Sequence, residues 1–159
     1  MIVRYHDGNR STVTFTPSKA LAVPVENQAL NWRMNAEQSF SDWTLKIQHR
    51  RSETVDTYRV HKCVLAFGSR RSVYFATMFQ QQMRENANKS SSIELKESEA
   101  KLFPCLLDYI YLNSERDIHD LTYEEIFEFY QLAEYFLMPE LQKTVAPKVA
   151  SPGLFPWKT

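Results

Sequence analysis

The sequence holds four histidines and two cysteines, and their spacing favours no catalytic reaction. His61 has no serine, cysteine or acid at a motif spacing, so we expect it to hold the turn between a strand and a helix. Cys63 and Cys105 stand far apart without companion ligands, which predicts two core thiols rather than a disulfide framework or a zinc site. Only three glycines occur, so Gly-rich phosphate loops are excluded by count. We therefore expect no enzymatic activity, no cofactor and no metal.

Composition narrows the classes of partner. The chain has 159 residues, of which 43% are hydrophobic, and its 19 basic side chains balance its 19 acidic ones. A neutral chain lacks the positive charge by which proteins bind nucleic acids or anionic membranes. The length predicts one domain with short arms, and unpaired cysteines favour a reducing compartment, cytoplasmic or nuclear.

Changes in the pattern of apolar residues and in proline content divide the chain into three parts. Residues 1–39 read as an N-terminal arm, with a possible hairpin and then a helix over residues 25–38. Residues 40–145 carry a dense apolar pattern, and residues 146–159 hold three prolines and read as an extended or disordered tail. The predicted helix of the arm has one apolar stripe, formed by Val25, Ala29, Trp32 and Ala36.

The central part combines the periods of strands and helices. Trp43, Leu45 and Ile47 alternate with polar residues and predict a strand, and similar alternation predicts strands around Tyr58 and around Ile93. Thr122 and Glu125 have the spacing of a capping box ahead of a long amphipathic helix, and Pro139 starts a last short helix to Val145. The order of elements predicts an α+β fold, with a small sheet covered by several helices.

The span from Phe40 to Val145 resembles the BTB/POZ domain, which is a small mixed β-sheet flanked by a cluster of α-helices. No single motif is specific, but the ordered set at near-family spacings is. The residues that carry the resemblance are Ser41-Asp42-Trp43, Val60-His61-Lys62-Cys63-Val64-Leu65-Ala66, Tyr74-Phe75, Met78-Phe79, Ile93-Glu94-Leu95, Phe103, Leu106-Leu107, Tyr109-Ile110-Tyr111 and Leu132-Ala133-Glu134-Tyr135-Phe136.

The resemblance implies a protein-interaction module that pairs with itself or with another BTB protein. Many relatives also bind a cullin scaffold and act as substrate adaptors of ubiquitin ligases. The dimer interface is expected at Val25, Ala29, Trp32, Ala36, Asp42, Trp43, His61 and Lys62. The cullin-binding candidates are Tyr74, Phe79, Met83, Arg84 and Glu85.

Several alternatives stay open at this point. The stripe that includes Trp32 could fold onto its own domain, and Asp42 could either pair with Lys62 or bond local backbone. The chain could be a dimerising scaffold or transcriptional regulator that binds no cullin. No Kelch, MATH or BACK domain is visible, so we expect either a truncated form or substrate binding through the arms. Two Arg-Arg-Ser tripeptides, ending at Ser52 and Ser72, resemble kinase sites, although solvated loop charge is the simpler interpretation.

Overall fold

The computed structural model describes residues 30–81, 88–112 and 116–150. These residues form a three-stranded sheet and a set of helices that cover it. In chain order the elements are α1 (Ala36–Ser39), β1 (Trp43–His49), β2 (Val55–Val60), α2 (Lys62–Ala66), α3 (Val73–Gln81), β3 (Ser90–Leu95), α4 (Glu97–Leu112), α5 (Arg116–His119), α6 (Tyr123–Tyr135) and α7 (Pro139–Ala150).

The sheet is mixed, with the strand order β2-β1-β3. β1 is central: it pairs antiparallel with β2, where Leu45 faces Tyr58, and parallel with β3, where Ile47 faces Ile93. The alternation predicted from the sequence is confirmed, because Trp43, Leu45 and Ile47 are buried on one face while Lys46 is exposed on the other. The α+β fold with a small mixed sheet is therefore the observed one.

The predicted capping box at the start of α6 is present. The Thr122 hydroxyl accepts a hydrogen bond from the Glu125 backbone N–H at 3.3 Å, and the Glu125 carboxylate accepts one from the Thr122 N–H at 2.8 Å. Two backbone donors that a helix start leaves unpaired are thus satisfied. This fixes the direction of α6, whose buried face packs against α4 and α7.

The core lies between the sheet and these helices and is rich in aromatic rings. Phe136 stacks on Phe75 with ring centroids 4.9 Å apart, and it contacts Phe103 at 5.6 Å. Phe103 in turn contacts Tyr58 of β2 at 5.1 Å. One continuous set of rings therefore joins α3, α4, α6 and the sheet.

The predicted helix over residues 25–38 is wrong for residues 30–35, whereas residues 36–38 are helical as predicted. Residues 30–35 form turns, and α1 begins only at Ala36. The Asn35 side chain accepts the N–H of Glu37 and so caps a helix that starts after it, while the Asn31 side chain accepts the N–H of Arg33 in the preceding turn. Residues 1–29, which include the predicted hairpin, lie outside the described residues.

The predicted end of the last helix at Val145 is also wrong. α7 continues to Ala150 through Pro147, so residues 146–150 of the predicted tail are helical. Tertiary contacts outweigh the proline: Val149 packs against the core, and the Lys148 ammonium donates to the carbonyl of Ile118 at 3.3 Å. Residues 151–159 lie outside the described residues.

Candidate functional site

The junction between β2 and α2 is built around His61, whose ring is held on both sides. Its Nε2 lies 2.6 Å from the Ser39 carbonyl oxygen, and its Nδ1 lies 2.9 Å from the Tyr111 hydroxyl. A carbonyl can only accept, so Nε2 donates; in the neutral ring Nδ1 then accepts a hydrogen bond from the Tyr111 hydroxyl. The same hydroxyl accepts the backbone N–H of His61 at 2.8 Å. His61 therefore ties α1 and α4 to the start of α2, the structural role expected from the sequence.

Asp42 and Lys62 do not form the charge pair that the resemblance implied. The carboxylate of Asp42 accepts the backbone N–H of Lys62 at 2.9 Å, which satisfies a free donor at the first turn of α2. The Lys62 ammonium instead lies 5.0 Å from the centre of the Trp43 ring. Among the described ion pairs, none joins these two side chains, and the bond to backbone is the alternative that the structure supports.

Burial separates the predicted dimer residues into two groups. Trp43 is 2% exposed and donates its indole N–H to Ser91 at 3.0 Å, and His61 is 4% exposed, so neither has much surface left for a partner. Asp42 and Lys62 remain accessible. Cys63 is also exposed, contrary to the expected core position, because it precedes the inward-facing Leu65 and Ala66 on the short α2 helix.

Two exposed phenylalanines flank α2, and sequence reasoning missed both as site residues. Phe40 is 84% exposed and follows Ser39, the residue bonded to the His61 ring; Phe67 is 71% exposed and follows the last turn of α2. Phe40 also has a φ of 56°, a left-handed conformation that costs a non-glycine residue about 1 kcal/mol. We call Phe40, Phe67 and the accessible Lys62 and Cys63 the α2 surface.

Trp32, predicted to face a partner subunit, instead packs on its own domain. Its ring meets Tyr58 edge-on with centroids 5.5 Å apart, and its indole N–H donates to Asp108 at 2.8 Å. The Arg33 guanidinium donates to the same carboxylate from two nitrogens, with the second nitrogen 2.5 Å from Asp108 Oδ2. The guanidinium carbon also lies 4.1 Å from the centre of the Trp32 ring. We call residues 30–35 the strap. Of the other stripe residues, Ala36 begins α1, and Val25 and Ala29 lie outside the described residues.

A second set of exposed apolar side chains lies where α3 begins and α6 ends. Val73, Tyr135 and Leu137 are each roughly half exposed, and the N–H of Val73 donates to the carbonyl of Leu137 at 3.3 Å. Tyr74 joins them, with its ring 5.5 Å from that of Tyr135. Leu137 has a φ of 51°, which again places a large apolar residue in a left-handed conformation. These four residues form what we call the α3–α6 surface.

The predicted cullin-binding residues are only partly brought together. Tyr74 belongs to the α3–α6 surface, whereas Phe79 turns inward and meets Trp43 edge-on at 5.5 Å. Met83, Arg84 and Glu85 lie outside the described residues. The residues that sequence reasoning did not single out are Val73 and Leu137. The signal that could have found Leu137 is its position just before Pro139, where one helix ends and the next begins.

Burial of three tyrosines predicts a loss of stability at high pH. Burial raises the pKa of Tyr58 to about 12, and burial together with Tyr135 raises the pKa of Tyr74 to about 12; burial also raises the pKa of Tyr111 above its usual value. An unfolded tyrosine ionises near pH ~10, so between about pH 10 and 12 the folded chain keeps protons that the unfolded chain loses. Stability is therefore fully present below about pH 10 and falls as pH rises toward 12.

Urea midpoints measured from about pH 8 to about pH 11 check this prediction, and we expect the midpoint to drop above about pH 10. Tyr74→Phe is the matched variant, because it keeps the ring and removes one titrating group, so its midpoint should drop less. An equal drop in the variant would assign the loss to other groups.

The small mixed sheet is covered by helices, and exposed apolar side chains occur in both the α2 surface and the α3–α6 surface. A family model for the BTB/POZ domain matches residues 32–151, and the chain belongs to this family. BTB/POZ domains mediate self-association or association with other proteins and are not typically enzymatic. A comparison with curated proteins found no match.

Two searches of the described residues complete the account of the site. They contain no group of three or more histidine, cysteine, aspartate or glutamate side chains placed to hold a metal ion. None of the helices in these ranges is long and apolar enough to cross a bilayer.

Proposed function

We propose that this BTB/POZ domain dimerises through the α2 surface and binds a cullin through the α3–α6 surface, as a substrate adaptor of a ubiquitin ligase. Two observations carry the proposal: Phe40 and Phe67 are the most exposed large apolar residues of the described part of the chain, and Val73, Tyr135 and Leu137 form a second exposed group. The side chains of Phe40 and Leu137 are hydrated in the isolated chain, and a partner that buries them recovers the free energy of that hydration.

The α2 surface suits a second copy of the domain. Phe40 and Phe67 supply two aromatic anchors, and the Asp42 and His61 contacts hold the backbone at the start of α2 in place. Aromatic anchors surrounded by polar groups are typical of the centre of a protein interface. A pair of rigid, identical patches matches the self-complementary geometry of a two-fold dimer.

Dimerisation is tested by Phe40→Asn. Asparagine tolerates the left-handed conformation, so the stability of the monomer should change by no more than about 0.5 kcal/mol, while dimer dissociation becomes at least about ten-fold more favourable. Sedimentation or light scattering over a range of concentrations measures the dissociation constant. The control is Phe127→Ala on α6, which removes another exposed phenylalanine and should leave the dimer intact. A wild-type monomer at tens of micromolar would contradict the proposal.

The α3–α6 surface suits an amphipathic helix. Val73 and Leu137 come from different elements but touch through a backbone hydrogen bond, so the apolar groups form one continuous face beside Tyr74 and Tyr135. A helix lays its apolar side into such a face through a few anchors. The sequence places Met83, Arg84 and Glu85 just after α3, where cullin adaptors carry a hydrophobic residue followed by a glutamate two positions on.

Cullin binding is tested with the N-terminal domain of a cullin, using calorimetry on the wild type and on Leu137→Asn. Asparagine again fits the left-handed backbone, so we expect binding about ten-fold weaker with the dimer retained, because one apolar anchor is removed. Glu85→Lys should weaken binding as well. Phe40→Asn is the matched control and should bind the cullin as the wild type does. If the wild type does not bind, or if Leu137→Asn and Glu85→Lys both bind equally well, the chain is a dimerising scaffold or regulator instead.

A further inference from the structure

The chain contains the tripeptide Arg-Arg-Ser twice, ending at Ser52 and at Ser72. The fold exposes the first serine and buries the second. A basic pair ahead of a serine resembles the substrates of protein kinases that recognise arginine. A kinase can use such a segment only if the serine hydroxyl is accessible and the flanking backbone can leave its position. For each copy, the structure shows whether the serine hydroxyl is accessible and which contacts hold the flanking backbone.

Ser52 lies in the turn between β1 and β2, where residues 50–54 are all exposed. Its hydroxyl lies 2.8 Å from the Thr54 hydroxyl and accepts the N–H of Thr54 at 3.1 Å. Its own N–H donates to the carbonyl of His49 at 3.2 Å. The contacts of Ser52 all lie within residues 49–54, and none joins its hydroxyl to a side chain of the core. The N–H of Arg50 donates to the carbonyl of Leu95 at 2.7 Å, so the segment that can leave its position begins after Arg50.

The arginines beside Ser52 are also accessible. Arg51 is exposed and has a φ of 69°, which presents its side chain at the tip of the turn. Arg50 pairs with Glu94 at 2.9 Å, but more than half of each side chain is exposed. An ion pair in such contact with water is weak, so Arg50 can exchange Glu94 for an acidic site on another protein.

The serine of the second tripeptide is inaccessible. Ser72 is fully buried; its hydroxyl donates to the carbonyl of Phe136 at 2.6 Å and accepts the N–H of Phe75 at 3.1 Å. The Arg70 guanidinium stacks 4.3 Å from the Tyr109 ring and donates to the Tyr109 carbonyl at 3.3 Å. A phosphate on Ser72 would have to displace the aromatic core around Phe136.

We propose that Ser52 is a phosphorylation site for a protein kinase that recognises arginine ahead of its acceptor serine. The Ser52 Oγ forms a bond to the γ-phosphorus of ATP as the bond from that phosphorus to the bridging oxygen of the β-phosphate breaks. ADP leaves with the electron pair, and the hydroxyl proton passes to the catalytic carboxylate of the kinase. Ser72 is not an acceptor in the folded chain.

The phosphate adds a charge of roughly −1.5 to −2 to a chain that is neutral overall. It stands at the end of β1 opposite to α2, about 20 Å along the strand from Trp43. The proposal is therefore independent of the proposed function, since it adds a charged group without entering the α2 surface. Arg50 and Arg51 are close enough in sequence to pair with it.

The experiment incubates the folded full chain with cAMP-dependent protein kinase, magnesium and ATP, and locates the phosphate by peptide mass spectrometry. We expect phosphate on Ser52 and not on Ser72, and no phosphate on Ser52→Ala. The variant with Arg50→Gln and Arg51→Gln should be modified at least about ten-fold more slowly, with an unchanged urea midpoint showing that it folds. Free peptides of residues 47–57 and 67–77 are the controls, and both should be phosphorylated because neither serine is buried in a peptide.

Each other outcome overturns the assignment. Phosphate on Ser72 of the folded chain, or on Thr54 when Ser52 is replaced, would place the acceptor elsewhere. A peptide 47–57 that is modified while the folded chain is not would show that the turn withholds its serine. Equal rates for the wild type and the double arginine variant would remove the basic pair from recognition, and so would an unmodified peptide 47–57.

Discussion

We expect the replacement of Phe136 with alanine to lower the free energy of unfolding by about 3–5 kcal/mol. Phe136 is fully buried at the end of α6, stacked on Phe75 and in contact with Phe103 and Tyr74. Alanine removes the ring that joins the end of α6 to α3 and α4. The cavity that remains is surrounded by packed rings, so the neighbouring side chains cannot move in to fill it. Urea denaturation followed by circular dichroism measures the change.

Phe127→Ala is the matched control for Phe136→Ala, because the residue type is the same and Phe127 lies on α6, the helix that Phe136 ends. Phe127 is 46% exposed, so its removal should cost no more than about 1 kcal/mol. Comparable losses for the two variants would show that the aromatic cluster is not the centre of the core.

Asp108→Ala should lower the free energy of unfolding by about 2–4 kcal/mol, a larger effect than a surface charge produces. Asp108 is buried on α4 and accepts hydrogen bonds from both Trp32 and Arg33. Without it the indole N–H of Trp32 has lost its acceptor, the strap is released, and the ring no longer covers Tyr58. Urea denaturation of the full chain gives the difference.

The control for Asp108→Ala is Glu94→Ala, which removes an exposed partner of another arginine. The pair of Arg50 and Glu94 stands in water, so its loss should cost less than about 1 kcal/mol. If the two substitutions cost the same, the strap does not contribute to stability through Asp108.

The local periodicities of the sequence were enough to predict the sheet. Trp43, Leu45 and Ile47 face the core because a strand alternates its side chains, and this alternation is visible without any partner. The capping box of Thr122 and Glu125 was predictable for the same reason, since all its atoms lie within one helical turn. The family followed from the ordered set of such elements.

The strap could not be predicted in this way. An apolar stripe at helical spacing includes Trp32, yet this residue packs through Asp108, which is 76 positions away in the sequence. Propensity for helix is weak over a short segment, and contacts with a folded domain outweigh it. The pattern therefore gave the wrong structure for residues 30–35, and Trp32 packs on its own domain, the alternative that the sequence had left open.

The candidate surfaces also combine features that local sequence determines with features that depend on distant contacts. The sequence by itself determined the fold class, the strands, the cap of α6 and membership of an interaction family, because these depend on neighbours a few positions apart. Only the tertiary structure decided that Phe40 and Leu137 stand in water, that Trp43 and His61 are buried, and that Ser52 is open while Ser72 is closed. Exposure is set by which distant element covers a residue, and identical tripeptides in one chain can be covered differently.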